Sequence, residues 1–153
     1  MERRLVCRLM NNCRNFIGHK MSLLQMKKKI LIAEDSLSVS LLLEHLLRQN
    51  YEVILASNGE DALRYLDLGN IPDAIIADII MPKIDGWMLL KNIKSSAYLS
   101  TIPIMMLSGL EQSSERIKCF ELGADEYLIK PFNPKELVIR VENLLNRKKY
   151  VRA

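Results

Sequence analysis

The chain has 153 residues, 49% of them hydrophobic and 26% charged, with a formal net charge of +4. That length supports one domain with a buried core, and the composition excludes a disordered chain, a collagen and a disulfide-stapled miniprotein. No apolar run approaches the roughly 18 residues a membrane helix needs, and the longest, residues 74–81, is broken by Asp78.

From residue 30 onward, strand and helix patterns alternate. Lys29–Ala33 is a short apolar run that ends in Glu34 and Asp35. Val39, Leu42, Leu43 and Leu46 then recur at helical spacing. Glu52–Ala56 is a second strand, and Gly59, Ala62, Leu63 and Leu66 mark a second helix. Residues 73–77 form a third strand. Leu89, Leu90 and Ile93 mark a third helix beginning near Gly86, with Asp85 as a turn or N-cap residue. Residues 103–107 form a fourth strand. Leu110, Ile117 and Phe120 mark a fourth helix, with Gly123 at its C-terminal cap. Glu126–Ile129 is a fifth strand, and Leu137, Val141, Leu144 and Leu145 close the pattern with an amphipathic helix. Met81, Met88, Met105 and Met106 read as core filler, and Cys119 as an inert thiol on a helix.

Five strands each followed by a helix specify an α/β fold. The strands are apolar throughout rather than alternating, as in a parallel sheet covered on both faces by helices. The polar exceptions all stand at strand ends: Glu34 and Asp35 after the first, Asp78 after the third, Ser108 after the fourth and Lys130 after the fifth. The second strand contributes no charge. Ligands of such sheets bind at the carboxyl ends of the strands, beside the switch point. An order of 2-1-3-4-5 brings Glu34, Asp35 and Asp78 together with Ser108 and Lys130 alongside. Three convergent carboxylates need a proton or a cation. Oxygen donors favour a hard cation such as Mg²⁺. One lysine and one hydroxyl beside them suit phosphoryl transfer to a carboxylate.

Four segments, in the right order, resemble the receiver domain of two-component response regulators. They are residues 28–36 (KKILIAEDS), 78–86 (DIIMPKIDG), 107–109 (LSG) and 123–132 (GADEYLIKPF), within a match over about 27–147. The resemblance implies a flavodoxin-like, doubly wound, five-stranded parallel sheet with five helices. It implies that Asp78 accepts a phosphoryl group from a sensor histidine kinase or phosphotransfer protein. Asp35 and Asp78 would ligate Mg²⁺ directly, Glu34 through water, and Ile80 through its backbone carbonyl. Ser108 and Lys130 would bind the phosphoryl oxygens. Tyr127 would be the aromatic that couples the site to a downstream protein target at the fourth-helix and fifth-strand face, or else a core-edge tyrosine. The Lys130–Pro131 peptide would be cis. Ile80 and Leu110 stand where the family can place polar groups beside the hydrolytic water, so slow self-dephosphorylation is expected. Gly109 would leave room for the phosphoryl group.

The charge lies mainly in the termini. Residues 1–29 carry eight Lys/Arg against Glu2, and 147–153 carry four more, whereas 30–146 hold ten bases against seventeen acids. Residues 1–26 are expected to be a basic extension outside the pattern, either a flexible arm or the product of a start upstream of Met21 or Met26. Residues 148–153 would be a basic tail. Cys7, Cys13 and Cys119 form no even framework and no zinc spacing, so a reduced, cytoplasmic setting is expected. The expected protein is a single-domain response regulator that catalyses only its own phosphoryl chemistry. The rivals are a phosphorylation-independent receiver-fold module and a nucleic-acid-binding regulator using the basic tails, although no reader motif accompanies them.

Overall fold

The structure is a computed structural model, and it describes residues 26–109 and 111–147. Its elements run β1 (Lys29–Ala33), α1 (Leu37–Leu47), β2 (Glu52–Ala56), α2 (Gly59–Asp67), β3 (Ala74–Asp78), α3 (Gly86–Ser95), β4 (Ile104–Ser108), α4 (Ser113–Glu121), β5 (Glu126–Ile129) and α5 (Pro134–Asn146). The five strands form one parallel sheet in the order β2-β1-β3-β4-β5. The expected fold and strand order are both present. The extension, the basic tail and Leu110 lie outside the described residues.

Burial explains the unbroken apolar strands. β3 and β4 are buried along their whole length. Alternate strand side chains feed two cores. Leu31, Ile75, Ile104 and Met106 pack with Ala62 and Leu66 of α2 and Leu89 and Ile93 of α3. Ile30, Ile32, Ile76 and Met105 pack with Leu43 and Leu47 of α1 and Leu137, Val141 and Leu144 of α5. Burying side chains of this kind contributes about 1.5–3 kcal/mol each, which is why a charged residue inside either face would break the sheet.

Several sequence expectations shift. β3 and β4 begin and end one residue later than expected, so Asp78 and Ser108 belong to the ladder, paired with Leu107 and Ile129. In α1, Leu42 is exposed and Leu47 buried. In α4, Ile117 and Phe120 face solvent and Cys119 is the buried residue. Met88 is exposed, whereas Met81, Met105 and Met106 are core. Asp85 is the N-cap of α3 and accepts from the Met88 N–H at 2.8 Å. Gly123 adopts φ +96° just past α4, a conformation an L-residue resists.

Candidate metal and phosphoryl site

The carboxyl ends of β1 and β3 lie side by side because the chain crosses over between them. Ala33, the last residue of β1, pairs with Ala77, and the next residues on each strand are acidic. Ligand oxygens of Glu34, Asp35 and Asp78 lie within 4.8 Å of one another, with Glu34 and Asp78 buried and Asp35 exposed. β4 and β5 bring Ser108 and Lys130 to the same end. The Lys130 N–H donates to the Ser108 carbonyl at 2.7 Å, extending the ladder past Ile129. Ser108 is fully buried. The Lys130–Pro131 peptide is cis.

Lys130 is the hub. Its Nζ lies 2.6 Å from Glu34 Oε2 and 2.7 Å from Asp78 Oδ2. Glu34 Oε1 accepts from the Ser36 N–H at 3.1 Å, and Asp78 Oδ1 from the Ile80 N–H at 3.3 Å. Burial pushes Glu34 above the usual carboxylate range, and the charge of Asp78 adds to this against the opposing pull of Lys130. For Lys130, burial acts to lower the pKa, but its hydrogen bonds to Asp78 and Glu34, together with their charges, outweigh burial and raise it. One ammonium facing three carboxylates leaves two formal negative charges uncompensated. Such an oxygen-only set, partly open at Asp35, fits a hard divalent cation.

Other expected residues fall around this centre. Ile80, whose N–H reaches Asp78 Oδ1, is 63% exposed. A Cβ on Gly109 would meet nothing within 4 Å. Tyr127 is 5% exposed and belongs to the core cluster with Met106, Cys119 and Ala124. Sequence reasoning passed over the turn between β2 and α2 because it adds no charge. The available signal was the Asn58-Gly59 pair before Glu60 and Asp61, which marks a capped helix start. Asn58 Oδ1 accepts from the Asp61 N–H at 2.9 Å.

The family model of the response regulator receiver domain matches residues 30–142. The chain belongs to this family. It is 43% identical over 122 residues to "Probable transcriptional regulator ycf27" of Cyanophora paradoxa, covering 79% of this chain and 49% of that protein. It therefore spans about half the length of the curated relatives it matches. A response regulator structure from Chloroflexus aurantiacus is 43% identical, with a TM-score of 0.75, and the match covers 79% of this chain and 99% of that one. The response regulator Rcp1, solved in an Mn²⁺-bound form, is 30% identical with a TM-score of 0.67, covering 76% and 91%. Receiver domains are signalling modules of two-component systems. Among the described residues, no helix of this receiver is long and apolar enough to cross a membrane.

Proposed function

We propose that this receiver accepts a phosphoryl group on Asp78 from a phosphohistidine of a sensor kinase or phosphotransfer protein in the cytoplasm. The observation that carries the reading is the excess of carboxylate over ammonium at one point, with Lys130 bridging Glu34 and Asp78. A carboxylate oxygen of Asp78 attacks phosphorus, the P–N bond to the donor imidazole breaks, and an acyl phosphate forms. Asp35 and Asp78 would hold Mg²⁺ directly, Glu34 through water and Ile80 through its carbonyl. The ion would offset charge on the phosphoryl oxygens. Lys130, already 2.7 Å from Asp78 Oδ2, supplies a second positive group. The Ser108 hydroxyl binds a phosphoryl oxygen, and Gly109 leaves space for it.

The output follows from what surrounds Ser108. A shift of Ser108 and Lys130 toward the phosphoryl group alters the packing of Tyr127 on the neighbouring strand. Ile117 and Phe120, exposed on α4, supply apolar surface for a downstream protein. Ile80 places no polar group beside the acyl phosphate, so the phosphorylated state is long-lived.

Intact mass after incubation with acetyl phosphate tests the reading. A phosphoryl adduct is expected on the wild type with Mg²⁺, and none without Mg²⁺ or in Asp78→Asn. No adduct on the wild type, from acetyl phosphate or from a phosphorylated kinase, would favour a phosphorylation-independent module.

A further inference from the structure

The β2–α2 turn adds no carboxylate to the acidic cluster, yet it touches the Glu34 backbone and the loop that follows Asp78. On one side, the Ala56 carbonyl accepts from the Glu34 N–H at 3.0 Å. On the other, the Gly59 N–H donates to the Ile84 carbonyl at 3.0 Å. Ile84 lies in the β3–α3 loop, which also carries Ile80. At its base this loop is closed by the Gly86 N–H on the Ile79 carbonyl at 2.8 Å, where a Cβ on Gly86 would sit 2.2 Å from the Asp78 carbonyl. Ile84, two residues before Gly86, rests on Gly59.

We propose that the β2–α2 turn braces the acidic pair against the β3–α3 loop, with Gly59 as a positioning residue for the Ile80 carbonyl. This rests on the metal site proposed above. Gly59 is required for space and not for conformation, since its φ lies outside the left-handed range. A Cβ there would lie 2.4 Å from the Ile84 carbonyl oxygen and 2.8 Å from Ile84 Cγ2. The oxygen is backbone, so no rotamer change relieves the contact, and the loop itself must recede until the gap exceeds 3.0 Å. Ligand constellations tolerate roughly 0.5 Å of displacement, so the shift is large enough to matter. Gly69 provides the contrast: its φ is +85° and nothing lies within 4 Å of its Cβ position.

A second, weaker tether points the same way. Lys83 occupies the left-handed region at φ 65°, unusual for a residue with a side chain. Its Nζ lies 3.0 Å from Glu60 Oε2 in the first turn of α2. Both side chains are well exposed, so this pair guides the loop without anchoring it.

The test compares the full chain as wild type, Gly59→Ala and Gly69→Ala. Mg²⁺ affinity is read by calorimetry, without any phosphodonor. The half-saturating Mg²⁺ and maximal rate of labelling by acetyl phosphate are read separately. Gly59→Ala should bind Mg²⁺ about tenfold more weakly and need about tenfold more Mg²⁺ for half-maximal labelling, with a maximal rate within about threefold of wild type. Gly69→Ala should lose thermal stability while keeping wild-type Mg²⁺ dependence. A folded Gly59→Ala with wild-type Mg²⁺ affinity overturns the proposal. Should Gly59→Ala not fold, Ile84→Ala removes the side chain that rests on Gly59 and should raise half-saturating Mg²⁺ about twofold; an unchanged value then overturns it. If the wild type binds Mg²⁺ but is never labelled, the phosphoacceptor reading fails, while the calorimetric comparison still decides the role of Gly59.

Discussion

Two lysines of similar burial, Lys130 and Lys94, do different work. Their side chains are 20% and 17% exposed, and each joins elements far apart in the chain. Lys94, on α3, lies 3.2 Å from Asp125 Oδ2 and donates to the carbonyls of Ser100 and Ile102. Asp125 also accepts from the Ile104 N–H at 2.9 Å. That cluster pairs one cation with one anion and fills the remaining positions with backbone groups, so it is closed. Lys130 faces Glu34 and Asp78, with Asp35 close by. That cluster carries more negative charge than it neutralises, so it stays open to a cation. Burial and ion pairing alone do not separate a structural lysine from one at a reactive site; the charge balance around each does.

Exchanging the ammonium groups for apolar side chains is the strongest way to break the comparison. Lys130→Met should slow acetyl phosphate labelling by about a hundredfold or more, the scale of losing one aimed donor at a charged transition state. Added Mg²⁺ should restore part of its lost thermal stability. Lys94→Met should do the reverse. Leaving Asp125 without its cation should cost about 2–4 kcal/mol in urea unfolding, while the folded fraction labels at the wild-type rate. Equal labelling defects in the two variants would erase the distinction.

Asp35→Asn sharpens the point about charge. It removes one of the two excess negative charges at an exposed position, and Mg²⁺ affinity by calorimetry should fall about tenfold. Ile80→Asn places a polar group two residues after Asp78, and loss of phosphate followed by intact mass should quicken several-fold.

The smallest effect is a pH dependence. Burial raises the Glu34 pKa in the fold, so ionised Glu34 works against metal-free folding at neutral pH. As pH falls through the raised value toward the ordinary 4.5, the folded state takes up the proton first and that penalty disappears. Glu34→Gln should therefore unfold at higher urea than wild type near neutral pH without metal. The gap should narrow as pH approaches 4.5. A gap that widens on acidification would contradict the assigned sign.

Much of this was legible because the residues obey simple constraints. β3 and β4 must be apolar throughout since helices cover both faces, and the position of Asp78 at the end of such a run then stands out. The strand order followed from requiring Glu34, Asp35 and Asp78 to converge. The strand ends were one residue late because a polar side chain at the last position does not stop a backbone ladder, as the Ser108 pairing with Ile129 shows. Helix α4 is present as expected, but its buried face differs for another reason. Periodicity in Ile117 and Phe120 signals an apolar face without saying whether the core or a partner receives it, and the core takes Cys119 instead. The burial also pushes the Cys119 thiol up to about 11, consistent with an inert group. The brace at Gly59 left only an Asn-Gly pair as a trace, since its role lies in a missing side chain.

The most direct measurement traps the acyl phosphate itself. Borohydride reduction of acetyl phosphate-treated protein, followed by peptide mass spectrometry, converts a phosphorylated aspartate into homoserine. Homoserine at position 78 alone, and only when Mg²⁺ was present, is the predicted result. Homoserine at another position, or an equal yield without metal, would contradict the assignment of Asp78 as the metal-dependent phosphoacceptor.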